Sequence, residues 1–407
     1  MLAVLALAFV LQTETISEIR VHGNATLSDD KVIELAGVSL GAPIDAAAID
    51  TIAKRLRDSG RFDDVEVRKR YRNLAMDEVS LLLVVHERPG ISPTGEPPSI
   101  ARQIRSRLMF LPIFHYDDGY GWTYGARTSV VDVIGKGVRV SAPLSWGGTR
   151  RAAVEADRTF KGGPFTRVSG SFGVAQRENP HYEIDDRRTS LDARVERRLF
   201  RMVTLGADVE RTLITFAPLD ETFWTTGADA SLDTRRDPSY PVDAILARAT
   251  WNRLHPSGIS SFNAAIDRYQ LDTRGYKRLF HQNVLALRAE YDTASAPLPP
   301  YEQWLLGGSS VRGTPAGEFV GDKRLILAAE LRVPFSSPLS TGRTGFNLFM
   351  DAGATAPYGE RLADQHRYRG VGGGLWLTLP LVNLNLDVAH SLDGQGTRVH
   401  FGTGFSF

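Results

Sequence analysis

Val382-Asn383-Leu384-Asn385-Leu386-Asp387-Val388-Ala389 decides the fold, because it alternates without a break. Val382, Leu384, Leu386 and Val388 share one side of an extended strand, and Asn383, Asn385, Asp387 and Ala389 share the other. Other segments repeat the pattern. Leu325, Leu327, Ala329, Leu331 and Val333 oppose Arg324, Ile326, Ala328, Glu330 and Arg332. Val203, Leu205, Ala207 and Val209 oppose Thr204, Gly206, Asp208 and Glu210. Leu191, Ala193, Val195 and Leu199 oppose Asp192, Arg194, Glu196 and Arg198, with Arg197 on the apolar side. In the final stretch Val399, Phe401, Thr403, Phe405 and Phe407 oppose Arg398, His400, Gly402, Gly404 and Ser406. A soluble sandwich also alternates, its polar face turned to water. Here about sixteen such segments of roughly ten residues fill 105–407, divided by turn residues and with no crossover helix. The expected fold class is mainly β: a transmembrane antiparallel β-barrel of about 16 strands.

Upstream the pattern changes. Residues 16–21 alternate as a strand, Gly23-Asn24 makes a turn, and Ser28 is placed to cap a short helix. Asp45 opens a second helix, with Ile49, Ile52, Ala53 and Leu56 at helical spacing and Gly60 as its stop. Two more alternating runs, 65–71 and 78–86, complete a small α+β domain over 14–88. Pro89, Pro93, Pro97 and Pro98, with Gly90 and Gly95, make 89–104 an extended linker. Residues 2–11 are an apolar run of about ten, too short to span a bilayer as a helix. They read as the core of a secretory signal peptide over 1–13, although no Lys or Arg precedes them.

One connection stands apart. Residues 292–322 are far longer than an ordinary strand connection, and Trp304, Leu305, Leu306, Val311 and Phe319 give the segment anchors for packing against a wall. The wall is expected to be the inside of the barrel. Phe346, Leu348, Met350 and Ala352 share one face of a strand, leaving Asn347, Phe349, Asp351 and Gly353 on the other. Arg312, at the loop tip, and the inward carboxylate of Asp351 can then form a bidentate pair.

Val311-Arg312-Gly313 in a long loop, followed by Phe349-Met350-Asp351-Ala352-Gly353, resembles the paired signatures of the BamA/TamA-type outer-membrane assembly superfamily, the bacterial surface antigen family. In that family the loop arginine folds into the barrel and meets the strand aspartate. Val21-His22-Gly23-Asn24 and the run from Leu56 through Arg61-Phe62-Asp63-Asp64-Val65 resemble a polypeptide-transport-associated (POTRA) domain. A third likeness is the turn motif Asp233-Thr234-Arg235-Arg236-Asp237-Pro238, although Val242-Asp243-Ala244 stands where the family usually continues to glycine. Thr314 likewise replaces an aromatic that often follows the loop Arg-Gly. His400, Gly402, Phe405 and Phe407 resemble the C-terminal recognition signal of outer-membrane barrels.

The resemblance implies an outer-membrane protein with its POTRA-like domain in the periplasm. Its partners would be outer-membrane lipids, unfolded polypeptide clients and accessory assembly proteins. The seam between first and last strands is the place where pairing can be weak. Pro112 cannot donate to a ladder, and Gly402 and Gly404 add little cross-strand packing, so these three residues mark a candidate lateral seam. Two other roles fit a barrel: a two-partner-secretion-type transporter passing one polypeptide through the lumen, and a passive porin. With 48 Lys+Arg against 47 Asp+Glu there is no electrostatic case for nucleic acid. Cysteine is absent, which removes thiolate chemistry and disulfides. The nine histidines are scattered, and Gly370-Val371-Gly372-Gly373-Gly374 lacks the following helix of a dinucleotide fingerprint. No enzyme activity, cofactor or metal is expected.

Overall fold

The structure, a computed structural model, describes residues 14–73, 77–92, 94, 107–132, 134–257, 261–335, 342–379 and 383–403. The stretch 1–13 expected to be a signal peptide, Pro93, Gly95, Pro97 and Pro98 of the expected linker, and Gly404, Phe405 and Phe407 lie outside the described residues. Two compact units divide between Leu108 and Met109.

In the first unit β1 (Thr15–His22) is followed by α1 (Asp29–Ala36), α2 (Ala46–Asp58), β2 (Phe62–Tyr71) and β3 (Glu78–Glu87). The sheet order is β1-β3-β2, parallel between β1 and β3 and antiparallel between β3 and β2. Local chemistry sets the helix ends. The Ser28 side chain accepts from the Lys31 amide at 3.3 Å and Asp45 from the Ala48 amide at 2.6 Å, each filling an N-terminal donor that the helix leaves open. Val32, Ala36, Ile52 and Leu56 pack on Val79, Leu81, Leu83 and Val85 to form the core. Gly23 has φ +88°, and a Cβ there would lie 2.1 Å from the Val85 carbonyl oxygen, so the turn after β1 admits no side chain.

The second unit is a 16-stranded antiparallel sheet curled into a nearly closed barrel. Its strands are β4 (Leu108–Asp117), β5 (Gly121–Val131), β6 (Val138–Gly147), β7 (Arg150–Thr159), β8 (Arg167–Asn179), β9 (Ile184–Leu199), β10 (Val203–Phe216) and β11 (Leu219–Asp233). They continue as β12 (Ala244–Pro256), β13 (Ile266–Arg278), β14 (Val284–Ala294), β17 (Lys323–Pro334), β18 (Arg343–Ala356), β19 (Tyr368–Thr378), β20 (Asn383–Ser391) and β21 (Thr397–Thr403). Each pairs with its neighbour in chain order, and β4 and β21 are the two ends of the sheet. The end where β4 starts is called proximal here and the other distal.

The alternation becomes an inside and an outside. Leu205, Val209, Leu213, Leu327, Leu348, Met350, Leu386 and Val388 are exposed on the outer face, whereas Glu330, Arg332, Asn347, Asp351 and Asp387 are buried inside. This reverses the partition of a water-soluble domain, as a barrel in hydrocarbon requires. The loop 295–322 joins the distal ends of β14 and β17 and folds back inside. It carries a short hairpin of β15 (Trp304–Leu306) and β16 (Phe319–Gly321), so the segment expected only to be anchored also has its own ladder.

Candidate functional site

The loop is fastened to the barrel wall at two places. At its tip, Arg312 is 1% exposed and uses its donors on three strands at once. Its Nε and Nη2 donate to the two carboxylate oxygens of Asp351 on β18 at 2.7 and 2.9 Å. Nη1 donates to Glu330 Oε2 on β17 at 2.9 Å and to Asp387 Oδ2 on β20 at 3.1 Å. The Arg312 backbone amide also donates to Asp351, at 3.1 Å. Underneath, the guanidinium lies 3.3 Å from the ring centroid of Phe349, the inward neighbour of Asp351 on β18. A planar five-donor fork suits this set of acceptors, and a lysine ammonium could not span it.

The carboxylates are themselves held. Glu330 accepts from Arg332 at 2.9 Å, and Asp387 accepts from Asn347 at 3.0 Å and Asn385 at 3.3 Å. Glycines make room for the tip. A Cβ on Gly370 of β19 would sit 1.8 Å from the Arg312 carbonyl oxygen, and one on Gly353 would meet Leu306 and Val311 at 2.7 Å. Gly313, with φ +95°, lets the chain turn directly after the arginine, against Ser391 and His390.

The root of the loop is fastened with the charges reversed. Glu302, buried on the loop, accepts from Arg188 of β9 at 2.8 Å and from Arg268 of β13. Arg188 also forks onto Asp186 at 2.8 and 2.9 Å and donates to the Tyr301 carbonyl at 2.7 Å. Tyr301 donates to Glu221 at 2.6 Å. Leu298, Tyr301 and Trp304 complete an apolar cluster with Ile214, Phe216, Phe223, Leu254 and Ile266 on β10 to β13.

His400 of β21 joins the loop to the seam. The Gly313 amide donates to His400 Nε2 at 2.9 Å, which makes Nε2 the unprotonated nitrogen and Nδ1 the donor. Nδ1 lies 2.6 Å from Asp118 Oδ2, in the turn after β4. Beside it, on the outer face, Phe401 packs 5.9 Å from Tyr116 and 5.2 Å from Trp122. The two ends of the sheet therefore meet through side chains of 116–122 and 400–401.

Residues 134–407 match the Omp85 superfamily domain model, which spans more than half of the chain. The chain belongs to the Omp85 superfamily. Residues 14–88 match the surface antigen variable number repeat, POTRA. Among solved structures, this Omp85 chain is similar to BamA from Haemophilus ducreyi lacking POTRA domains 1–3, at a TM-score of 0.65 and 13% identity over 96% of this chain and 84% of that one. It is also similar to CdiB from Escherichia coli, at a TM-score of 0.51 and 11% identity over 98% and 92%. At these identities the likeness is one of fold. No curated protein matches it in sequence.

Within the Omp85 barrel, Val311, Arg312, Gly313, Asp351, Gly353 and His400 converge on one place. His400 does more there than its strand position suggested: it is 6% exposed and turned inward onto the loop. The turn residues lie elsewhere, at the proximal end between β11 and β12. Arg235 forks onto Asp233 at 2.9 Å, and Asp237 accepts from the Ser239 amide at 3.1 Å. Beyond Pro238 the chain delivers Tyr240 to a stack 5.4 Å from Trp376, in an apolar cluster with Tyr276, Val284 and Ala286 inside the barrel. Pro112 and Gly402 lie on β4 and β21, the two end strands, and Pro112 is exposed. In the sequence Glu330 and Asp387 are legible only as members of a polar strand face and Gly370 only as part of a glycine run, and nothing there assigns a role to Glu302 or its partners.

Proposed function

We propose that this Omp85 protein resides in a bacterial outer membrane with its POTRA domain in the periplasm, and that it inserts or assembles polypeptide clients there through the β4–β21 seam. It works by exchange of strand pairings, without catalysis of covalent chemistry. The observation that carries this reading is the seam itself: the two end strands of the sheet meet, among the described residues, through ring packing and a histidine contact at 116–122 and 400–401. Side-chain contacts of this kind separate at far lower cost than a full ladder of backbone hydrogen bonds. A client strand would then pair with the freed edge by β-augmentation. β4 suits that task, because Met109, Phe110, Leu111 and Phe114 leave it apolar and exposed along most of its length.

Disulfide trapping in this cysteine-free chain tests the reading. Pairing one cysteine within 109–113 with another within 399–403 looks natural from sequence, but Phe401 stands beside Tyr116. Tyr116 and Phe401 are therefore the pair to replace by cysteine first, with bond formation on oxidation verified directly before activity is scored. Oxidation is expected to abolish client insertion into vesicles, and reduction to restore it. Undiminished activity of the oxidised protein would transfer the route to the lumen and the function to two-partner-secretion-type transport. A passive pore would show no insertion activity in either state.

A further inference from the structure

The outer face carries a groove that neither the loop nor the seam uses. It is about 700 Å³ in volume and crosses β6 to β11 near their distal ends. Its floor follows one row of paired outward residues: Leu144, Ala152, Val174, Thr189, Leu213 and Thr222. Ala152 and Thr189 are short, and they leave a trough between the exposed side chains of Leu144, Val174 and Leu213. Trp146 stands 52% exposed at one edge.

The next outward row toward the distal end is polar: Arg150, Gln176, Arg187, Thr215 and Asp220. Asp185 accepts from Gln176 at 2.7 Å and from Arg187 at 3.3 Å, which orients that guanidinium. Among the described residues Arg150 has no ion-pair partner. A third guanidinium, Arg211, lies over the Trp224 ring at 5.7 Å on the same face. An aliphatic trough headed by guanidiniums, on the surface of a membrane barrel, has the two chemistries of an anionic lipid: hydrocarbon for the trough and an anion for the forks.

We propose that this groove binds a lipid with a phosphate headgroup, its acyl chain along Leu144, Ala152, Val174 and Leu213 and its phosphate on Arg150 and Arg187. Arginine supplies planar paired donors that match phosphate oxygens. Arg150 supplies the positive charge that Asp185 does not neutralise, and Trp146 supplies the amphipathic edge usual where acyl chains meet headgroups.

The test is quenching of Trp146, isolated by comparison with W146F, for the full chain in phosphatidylcholine vesicles containing either dibrominated phosphatidic acid or dibrominated phosphatidylcholine. Brominated phosphatidic acid is expected to half-saturate the quenching at a roughly fivefold lower mole fraction, the effect of one net positive charge at a charged surface. R150Q/R187Q should remove that preference and leave quenching by brominated phosphatidylcholine unchanged. Equal quenching by the two lipids in the unmodified protein would overturn the proposal, without recourse to any variant. So would a preference that survives in R150Q/R187Q. Loss of the preference on adding inorganic phosphate would make the ligand a soluble anion and end the lipid assignment.

Discussion

The tip and the root of the loop are fastened by the same kind of bond with opposite sign. At the tip a loop cation meets wall anions, all about 1 to 2% exposed at their side chains. At the root a loop anion meets wall cations, and Arg188 and Arg268 keep side-chain exposures of 29% and 17%. A charge orphaned in a dry site stays costly, while one that reaches water is largely repaired by it. The tip is therefore the rigid fixture and the root the forgiving one. If the loop moves during work, it is the root that can loosen without stranding a buried charge.

The largest expected effect follows from emptying the tip. Among the described residues Arg312→Ala leaves Asp351 with one backbone donor, while Glu330 keeps Arg332 and Asp387 keeps two asparagines. Destabilisation of the docked loop by about 3–5 kcal/mol is expected. Limited proteolysis within 305–313 should read it as faster cleavage. Arg312→Lys keeps the charge but loses the fork and should recover only part of the protection, so full rescue by lysine would refute the geometric account. Gly370→Ala comes next. It leaves every charge in place but drives a methyl group toward the Arg312 carbonyl, for an expected cost of about 1–3 kcal/mol. Unchanged proteolysis would show that the tip has room the contacts deny.

The contrast between the anchors also explains what the sequence could tell. Arg312 and Asp351 were legible because each sits in a short signature and because period-two alternation alone decides which face of β18 is inward. Ser28 and Asp45 were legible for a similar reason, since capping is a rule about residues three apart. Glu330 and Asp387 were not, being separated from Arg312 by 18 and 75 residues and looking like any inward polar position. Glu302 was hidden more deeply. Its partners lie 114 and 34 residues away, on strands brought beneath the loop only by the curl of the sheet. The seam was legible as a place and not as a register, because stagger around a barrel accumulates over every strand pair. His400 could be read as a strand residue, whereas its bond to the Gly313 amide requires the loop already folded in.

Glu302→Gln probes the forgiving anchor. Arg188 retains its fork on Asp186, so the chief loss is at Arg268, and a cost of about 2 kcal/mol is expected. The decisive measurement combines it with Arg312→Ala. Anchors that hold the loop independently should give additive changes in protease resistance, to within about 0.5 kcal/mol. A large deviation would mean that tip and root release as one body and that the contrast between them is not mechanical.

The smallest effect falls on the residue that belongs to both loop and seam. His400→Gln keeps an acceptor within reach of Gly313 but cannot also present a donor to Asp118 with the geometry of an imidazole. Loss of one hydrogen bond to a charged acceptor, partly open to water, corresponds to about 1 kcal/mol. The loop should keep nearly all its protease resistance, since Arg312 is untouched. The seam should not be as fortunate, because Asp118–His400 is a polar link between its two sides beside the Phe401 contact. Crosslinking between Tyr116→Cys and Phe401→Cys is the measurement, with slower or less complete bond formation expected in the His400→Gln background. If crosslinking is unchanged while loop cleavage accelerates, His400 serves the loop alone.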